Sequence, residues 1–159
     1  MAIFLPNHFK LVEGDSYCAM NATMTLDNVS LKNVQMAWIV LRFDNNTGGA
    51  VVVNPLIGAN VTTCATAITF NADYWYNADT GSTDTLVAQT AGTTFTTGAA
   101  ATDAMVVVRI DPAAVAAQGA FDCLGCTVTG GAQVGDFANG FYILETRYPQ
   151  ATPPTAITD

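Results

Sequence analysis

Residues 104–119 read AMVVVRIDPAAVAAQG, and this stretch decides the fold class. The segment 104–110 is rich in β-branched side chains and is the strongest strand signal in the chain. Asp111 and Pro112 then supply the N-cap and the first residue of a helix, which Gly119 ends. The stretch therefore predicts one long strand followed by one short helix, near residues 112–118.

Further strand signals lie at short intervals on both sides of this stretch. The centre of the run at 34–43 is apolar at every position, which predicts burial on both faces. Pro55 confines its strand to a sheet edge or a bulge. With Gly, Asn, Asp and Thr between the runs, the pattern predicts an all-β, antiparallel sandwich or barrel of about nine strands. The remaining runs are 24–31, 50–57, 62–70, 73–77, 85–89, 93–97, 121–128 and 140–148.

Two turns are predicted from local sequence. Thr90, Ala91 and Gly92 separate two strand runs at a hairpin-like spacing, and Asn139-Gly140 is a turn signal just before the last strand. The order of the strands within the sheets cannot be predicted from their number.

The chain length of 159 residues fits a single domain with extended ends. Residues 1–15 form an apolar N-terminal arm that packs along its own domain or reaches a neighbour. Residues 16–147 form the β-domain. Residues 148–159 are predicted to form an extended tail, because three of the six prolines of the chain, Pro149, Pro153 and Pro154, lie in this segment.

Composition indicates a covered surface and argues against two classes of partner. Charged residues make up only 11% of the chain, half of it is apolar, and the mean hydropathy is +0.31. A partner that covers much of the surface accounts for this better than a free monomer does. The net charge of −8 opposes nucleic-acid binding and offers no polybasic anchor for a membrane.

The N-terminal residues MAIFLPNHFKLVEG lack a basic region ahead of their apolar run, so they are interpreted as a mature N-terminus rather than a signal peptide. No run approaches the roughly 18 apolar residues of a spanning helix. The expectation is therefore synthesis in a cytoplasm, where thiols stay reduced.

Side chains suited to catalysis are scarce. The chain has one histidine, His8, and two glutamates, Glu13 and Glu145. An enzyme usually needs a cluster of titratable groups in tuned environments. The sequence therefore predicts a non-enzymatic protein with no cofactor and no metal.

Cys123 and Cys126 form a CxxC motif, but its surroundings are strand-like. Redox motifs of this type open a helix, and zinc would need two further ligands. Cys18 and Cys64 lie far apart in the sequence without paired spacing. Structural thiols are the preferred interpretation, and a disulfide formed after release from the cell remains open.

Other patterns have a functional and a structural interpretation. Asp79-Thr80-Gly81-Ser82 spells the DTGS of aspartic proteases, whose chemistry would need a homodimer to supply a second carboxylate. The same residue types are common in turns. Asp73, Asp79 and Asp84 could bind Ca²⁺ but match no EF-hand spacing. Six aromatic residues suit a sugar platform or, because they lie at strand spacing, a core: Trp38, Tyr74, Trp75, Tyr76, Phe141 and Tyr142.

Several segments resemble a family of small tailed-bacteriophage virion proteins encoded beside the major capsid protein. The resemblance runs from about residue 11 to the end, and its C-terminal stretch is the most specific part. The segments that carry it are LVEG (11–14), VSLKN (29–33), ADTGSTDTLV (78–87), TFTT (94–97), VVVRIDPAAV (106–115), YIL (142–144) and RYPQATPPTAITD (147–159).

The resemblance implies a head decoration (cement) protein with a β-sandwich or jelly-roll-like fold. Such a protein binds the outside of the capsid, contacts the major capsid protein as a homo-oligomer (dimer or trimer), and stabilises joints between capsid subunits. A tail tube, baseplate or host-contact component is the alternative, and a homodimeric aspartic protease using Asp79 is a remote one. The expected contact residues come from the arm and the tail: Phe4, Leu5, Phe9, Tyr148, Pro149, Pro153 and Pro154.

Overall fold

The computed structural model describes residues 5–19, 23–44, 49–98, 103–130 and 137–148. These residues form two sheets of antiparallel strands and two short helices. The elements in chain order are α1 (Leu5–His8), β1 (Phe9–Ala19), β2 (Met24–Thr25), β3 (Val29–Ser30), β4 (Val34–Asp44), β5 (Val51–Gly58), β6 (Thr66–Ala67), β7 (Asp73–Asn77), β8 (Val87–Ala88), β9 (Phe95–Thr96), β10 (Asp103–Ile110), α2 (Pro112–Ala117), β11 (Cys123–Gly130) and β12 (Phe137–Thr146).

The strand order identifies a jelly roll. The β4 sheet has the order β1-β12-β4-β10-β7-β8, and the β5 sheet has the order β2-β11-β5-β6, with β3 also on β11 and β9 also on β5. Four antiparallel pairs are nested along the chain: β1 with β12, β2 with β11, β4 with β10, and β5 with β9. Such nesting is a long hairpin rolled into two facing sheets. The predicted antiparallel, jelly-roll-like sandwich is therefore confirmed.

The core lies between the two sheets and follows from alternation along the strands. In β4 the side chains of Ile39 and Leu41 point inward and are fully buried. Val106 and Val108 of the neighbouring β10 do the same, and Val53 of β5 faces them from the other sheet. The prediction that the centre of the 34–43 run is buried on both faces is confirmed, because Val40, which points outward, is only 7% exposed.

The short helix α2 forms as the sequence predicts. The Asp111 side chain accepts a hydrogen bond from the Ala113 N–H at 2.8 Å, which caps the first turn. Pro112 occupies the first turn, where its missing N–H removes no helical hydrogen bond. Val115 is fully buried in the core, so one face of this helix is held by packing against the sandwich.

The predicted turn at Asn139-Gly140 is wrong. Both residues lie inside β12, where Asn139 is opposite Arg42 and Gly140 is opposite Leu41 of β4. A Cβ atom on Gly140 would lie 2.7 Å from Leu26 Cδ2 and 2.8 Å from Leu41 Cδ2. The glycine is thus required by close packing within a strand, not by a turn.

The predicted hairpin around Thr90–Gly92 is also wrong. β8 pairs with β7 in the β4 sheet, whereas β9 pairs with β5 in the other sheet. The segment between them therefore crosses from one sheet to the other.

Pro55 lies between the two short partners of β5, since β9 pairs at Val52 and Val53 and β6 pairs at Leu56 and Ile57.

The boundary drawn at residue 15 falls inside a strand. β1 pairs with β12 from Phe9, opposite Glu145, to Ala19, opposite Phe137. Residues 9–15 are thus an edge strand of the jelly roll rather than a separate arm. Of the predicted tail, Tyr148 is described, and residues 149–159 lie outside the described residues.

Candidate functional site

The outer face of the β4 sheet is apolar across five adjacent strands. Because Ile39 and Leu41 point into the core, Trp38 and Val40 point to the outer face. Residues directly opposite in antiparallel strands share a face, and the register extends the apolar set to both sides of β4. We call this set the apolar face; its members are Phe9, Leu11, Met36, Trp38, Val40, Trp75, Met105, Val107, Phe141 and Ile143.

A groove crosses the middle of the apolar face. It is lined by Phe9, Trp38, Val40, Val107 and Ile143 and has a volume of about 360 Å³. The rings of Phe9 and Trp38 lie 6.3 Å apart at 47°, so they form an aromatic wall on one side. The groove is open to the outside and suits an apolar segment of another chain.

The strand register places charged residues at the rim of the apolar face: Glu13, Arg42, Asp73, Arg109 and Glu145. Arg109 forms an ion pair with Asp73, and its guanidinium carbon lies 6.0 Å from the centre of the Trp75 ring. Arg42 is exposed, and no ion pair holds it among the described residues. An apolar centre with a charged rim is the usual anatomy of a protein–protein interface.

The predicted contact residues are placed only in part. Phe9 lies on the apolar face and lines the groove. Tyr148 is 67% exposed just beyond β12, and Leu5 begins α1. Phe4, Pro149, Pro153 and Pro154 lie outside the described residues. The predicted contact residues do not include Trp38, Val107 and Ile143. Apolar residues at both odd and even positions of their strands were a signal that both faces of these strands are covered.

Asp79 is a turn residue in this structure. Its Oδ1 accepts hydrogen bonds from the backbone N–H groups of Gly81 at 3.1 Å and Ser82 at 3.2 Å. The adjoining groove is lined by residues that include Asn77, Asp79 and Thr83, and Asp79 is its one carboxylate among the described residues. These hydrogen bonds fit the interpretation of the DTGS sequence as a turn rather than as a protease motif.

The CxxC cysteines point to opposite faces of β11. They are three positions apart in one extended strand, which separates their Cα atoms by about 10 Å, beyond the range of a disulfide. The side chains of Cys64, Cys123 and Cys126 are all buried. Burial raises the pKa of Cys126 to about 12, which keeps this thiol protonated and unreactive at neutral pH.

This burial predicts a loss of stability in alkali. The Cys126 thiol ionises near pH 9 when unfolded and near pH 12 when folded, so between these values the unfolded state binds fewer protons. Stability should therefore fall by about 1.4 kcal/mol per pH unit from this group. In urea unfolding between about pH 9 and pH 12, the free energy of unfolding of Cys126→Ala should fall less steeply with pH than that of the parent protein. The difference in slope should correspond to one titrating proton. Equal slopes in both proteins would contradict the prediction. The difference in unfolding free energy at neutral pH is the control, because it reports the packing effect of the substitution alone.

The other candidate sites separate in space. Tyr74 and Tyr142 are buried in the core, where Tyr74 stacks on Phe95 at 5.4 Å. Trp38, Trp75 and Phe141 lie on the opposite, outer face, so the six aromatic residues do not form one platform. Asp73 pairs with Arg109. Within the described ranges, no group of three or more His, Cys, Asp or Glu residues is arranged to hold a metal ion.

Neither helix of the described residues is long and apolar enough to span a membrane. No protein-family model matches this chain, and no curated protein matches it in sequence.

Solved structures give distant similarities. The chain is similar to the SPBc2 prophage-derived protein YomS, with 9% identity and a TM-score of 0.47 over 86% of this chain and 91% of that chain. It is similar to a Triatoma virus structure, with 8% identity and a TM-score of 0.40 over 100% of this chain and 72% of that chain. It is also similar to an empty cowpea mosaic virus-like particle structure, with 9% identity and a TM-score of 0.36 over 94% of this chain and 87% of that chain.

Proposed function

We propose that this chain is a non-enzymatic structural protein of a tailed-bacteriophage virion. It binds the outside of the capsid as a homo-oligomer and stabilises joints between capsid subunits. The observation that carries the proposal is the apolar face of the β4 sheet, because a surface of this kind functions by being covered.

The size of the apolar face supports assembly as the function. Five strands spaced about 4.8 Å apart and four outward rows spaced about 6.8 Å apart span about 19 Å by 20 Å, a footprint of roughly 390 Å² that includes Glu13 and Glu145 beside the apolar members. Its size is comparable to the largest apolar patch of a typical monomer, roughly 300–600 Å², and such patches often mark interaction sites. A stable interface covers about 800 Å² per partner. The apolar face therefore has the size of an interface core, to which its charged rim adds the rest.

The partner in this proposal is the major capsid protein. The resemblance of the sequence to small virion proteins supports that choice, and the acidic balance suits a protein that stays off packaged DNA. A jelly roll is rigid, so binding costs little backbone entropy within the domain. Contacts across a joint add buried area where neighbouring capsid subunits meet.

Immunogold labelling of virions, imaged by electron microscopy, tests the proposal. Gold spread over the head is the expected result. Gold confined to the tail would support the tail tube or baseplate alternative instead. Absence of gold on particles that contain the protein by mass spectrometry would point to an interior location and contradict the proposal.

A further inference from the structure

We infer that the apolar face binds the proline-rich segment 149–159 of a neighbouring copy of this chain. The inference rests on the proposed homo-oligomer and names what holds it together. Exchange of C-terminal segments would then link the copies, while the capsid contact gains strength from having several linked copies.

The chemistry of the groove fits a proline-rich occupant. Its wall is formed by the aromatic rings of Phe9 and Trp38, and aliphatic Val40, Val107 and Ile143 complete it. Aromatic-lined apolar grooves are the usual receptors for polyproline II segments, which lose little entropy on binding because they are extended beforehand.

The C-terminal segment supplies a matching ligand. It reads PQATPPTAITD, with three prolines and no charged side chain before Asp159. Eleven residues in the polyproline II conformation span about 34 Å. The axes of the five strands of the apolar face span about 19 Å. The segment is thus long enough to cross the face and cover the groove.

The direction of the chain favours a neighbouring copy over the same one. β12 ends at Thr146, past the row that contains Met36 and Glu145, so the chain is moving away from the groove. Tyr148 is 67% exposed at this point. A residue before proline prefers an extended conformation, so Tyr148-Pro149 favours continuing outward rather than reversing over its own sheet.

Sedimentation velocity on the purified full chain and on residues 1–148 tests the inference. The full chain should be an oligomer and the truncated chain a monomer. A synthetic peptide of residues 149–159 should bind the truncated chain and shift its tryptophan fluorescence to the blue, because Trp38 becomes covered. Replacing Pro153 and Pro154 together by glycine should weaken association about tenfold through the added flexibility. The matched control is Gln150→Ala with Thr158→Ala, which keeps the prolines and should associate normally.

Other outcomes would overturn the inference. A monomeric full chain whose tryptophan emission is blue-shifted relative to the truncated chain would mean that the segment covers its own face. An oligomer that survives truncation would mean that another surface joins the copies, and a peptide that fails to bind would remove the ligand. The proposed function fails separately: an oligomer joined by its C-terminal segments that leaves phage heads undecorated would contradict only the capsid role.

Discussion

Gly58→Ala is expected to destabilise the fold by about 3 kcal/mol, the upper part of the range for overpacking. A Cβ atom on residue 58 would lie 2.4 Å from the Thr63 carbonyl oxygen and 2.9 Å from Cys64 Cα. Both atoms belong to the backbone, so no side-chain rotation can relieve the overlap. Urea unfolding followed by tryptophan fluorescence would measure the change.

The segment that must move is fixed by its own hydrogen bonds. The Thr63 N–H donates to the Asn60 carbonyl oxygen at 3.2 Å, and the Thr63 hydroxyl donates to Asn60 Oδ1 at 2.8 Å. The Asn28 side chain also donates to the Val61 carbonyl oxygen at 2.8 Å. Displacing this loop would therefore weaken several contacts together.

Gly98→Ala is the matched control for Gly58→Ala. The nearest heavy atom to a Cβ on residue 98 would be Tyr76 Oη at 4.0 Å, an ordinary contact distance. Its unfolding free energy should stay within about 1 kcal/mol of the parent protein. If Gly58→Ala unfolds at the same urea concentration as this control, the loop after β5 has room to move and the close contact is not required.

The sequence predicts the regular parts of this fold because their signals are local. The strand at 104–110 alternates in burial, and α2 begins where Asp111 and Pro112 supply its cap. The errors have a different physical origin. Gly140 is a glycine because Leu26 and Leu41 approach it, and this approach depends on residues far away in the chain. The two-residue strands β8 and β9 pair in different sheets through long-range contacts alone.

The apolar face was only half predictable. Apolar residues at both odd and even positions of β4 indicate burial on both faces of the strand. Val40 points outward and is nevertheless buried, as this pattern predicts. Which side meets the core and which meets another molecule depends on how the sheets stack. Periodicity assigns residues to two faces but cannot say which face is outward. For that reason Trp38, which the sequence offers for a sugar platform or for the core, and Val107 could not be assigned to the outer face before the strand order was known.

Val107→Glu should abolish most assembly through the apolar face. Val107 lies at the centre of this face, between Val40 of β4 and Trp75 of β7. Covering of this face by the C-terminal segment of a neighbouring copy would bury the new carboxylate without a designed partner. The copies should then separate, and because linked copies bind the head more tightly, we expect binding to phage heads to weaken at least about thirtyfold. Stability should change by no more than about 1 kcal/mol, because Val107 is half-buried on the outer face rather than in the core. Co-sedimentation with heads that lack the protein would measure the binding.

Leu86→Glu separates the loss of a specific contact from the effect of added charge. Leu86 is 38% exposed in the loop before β8 and does not belong to the apolar face. Each variant adds one negative charge to a chain that already carries −8, so long-range repulsion rises equally in both. Normal head binding by Leu86→Glu alongside weak binding by Val107→Glu would show that head binding depends on the apolar face. Equal binding by both variants would mean that head binding does not depend on this face.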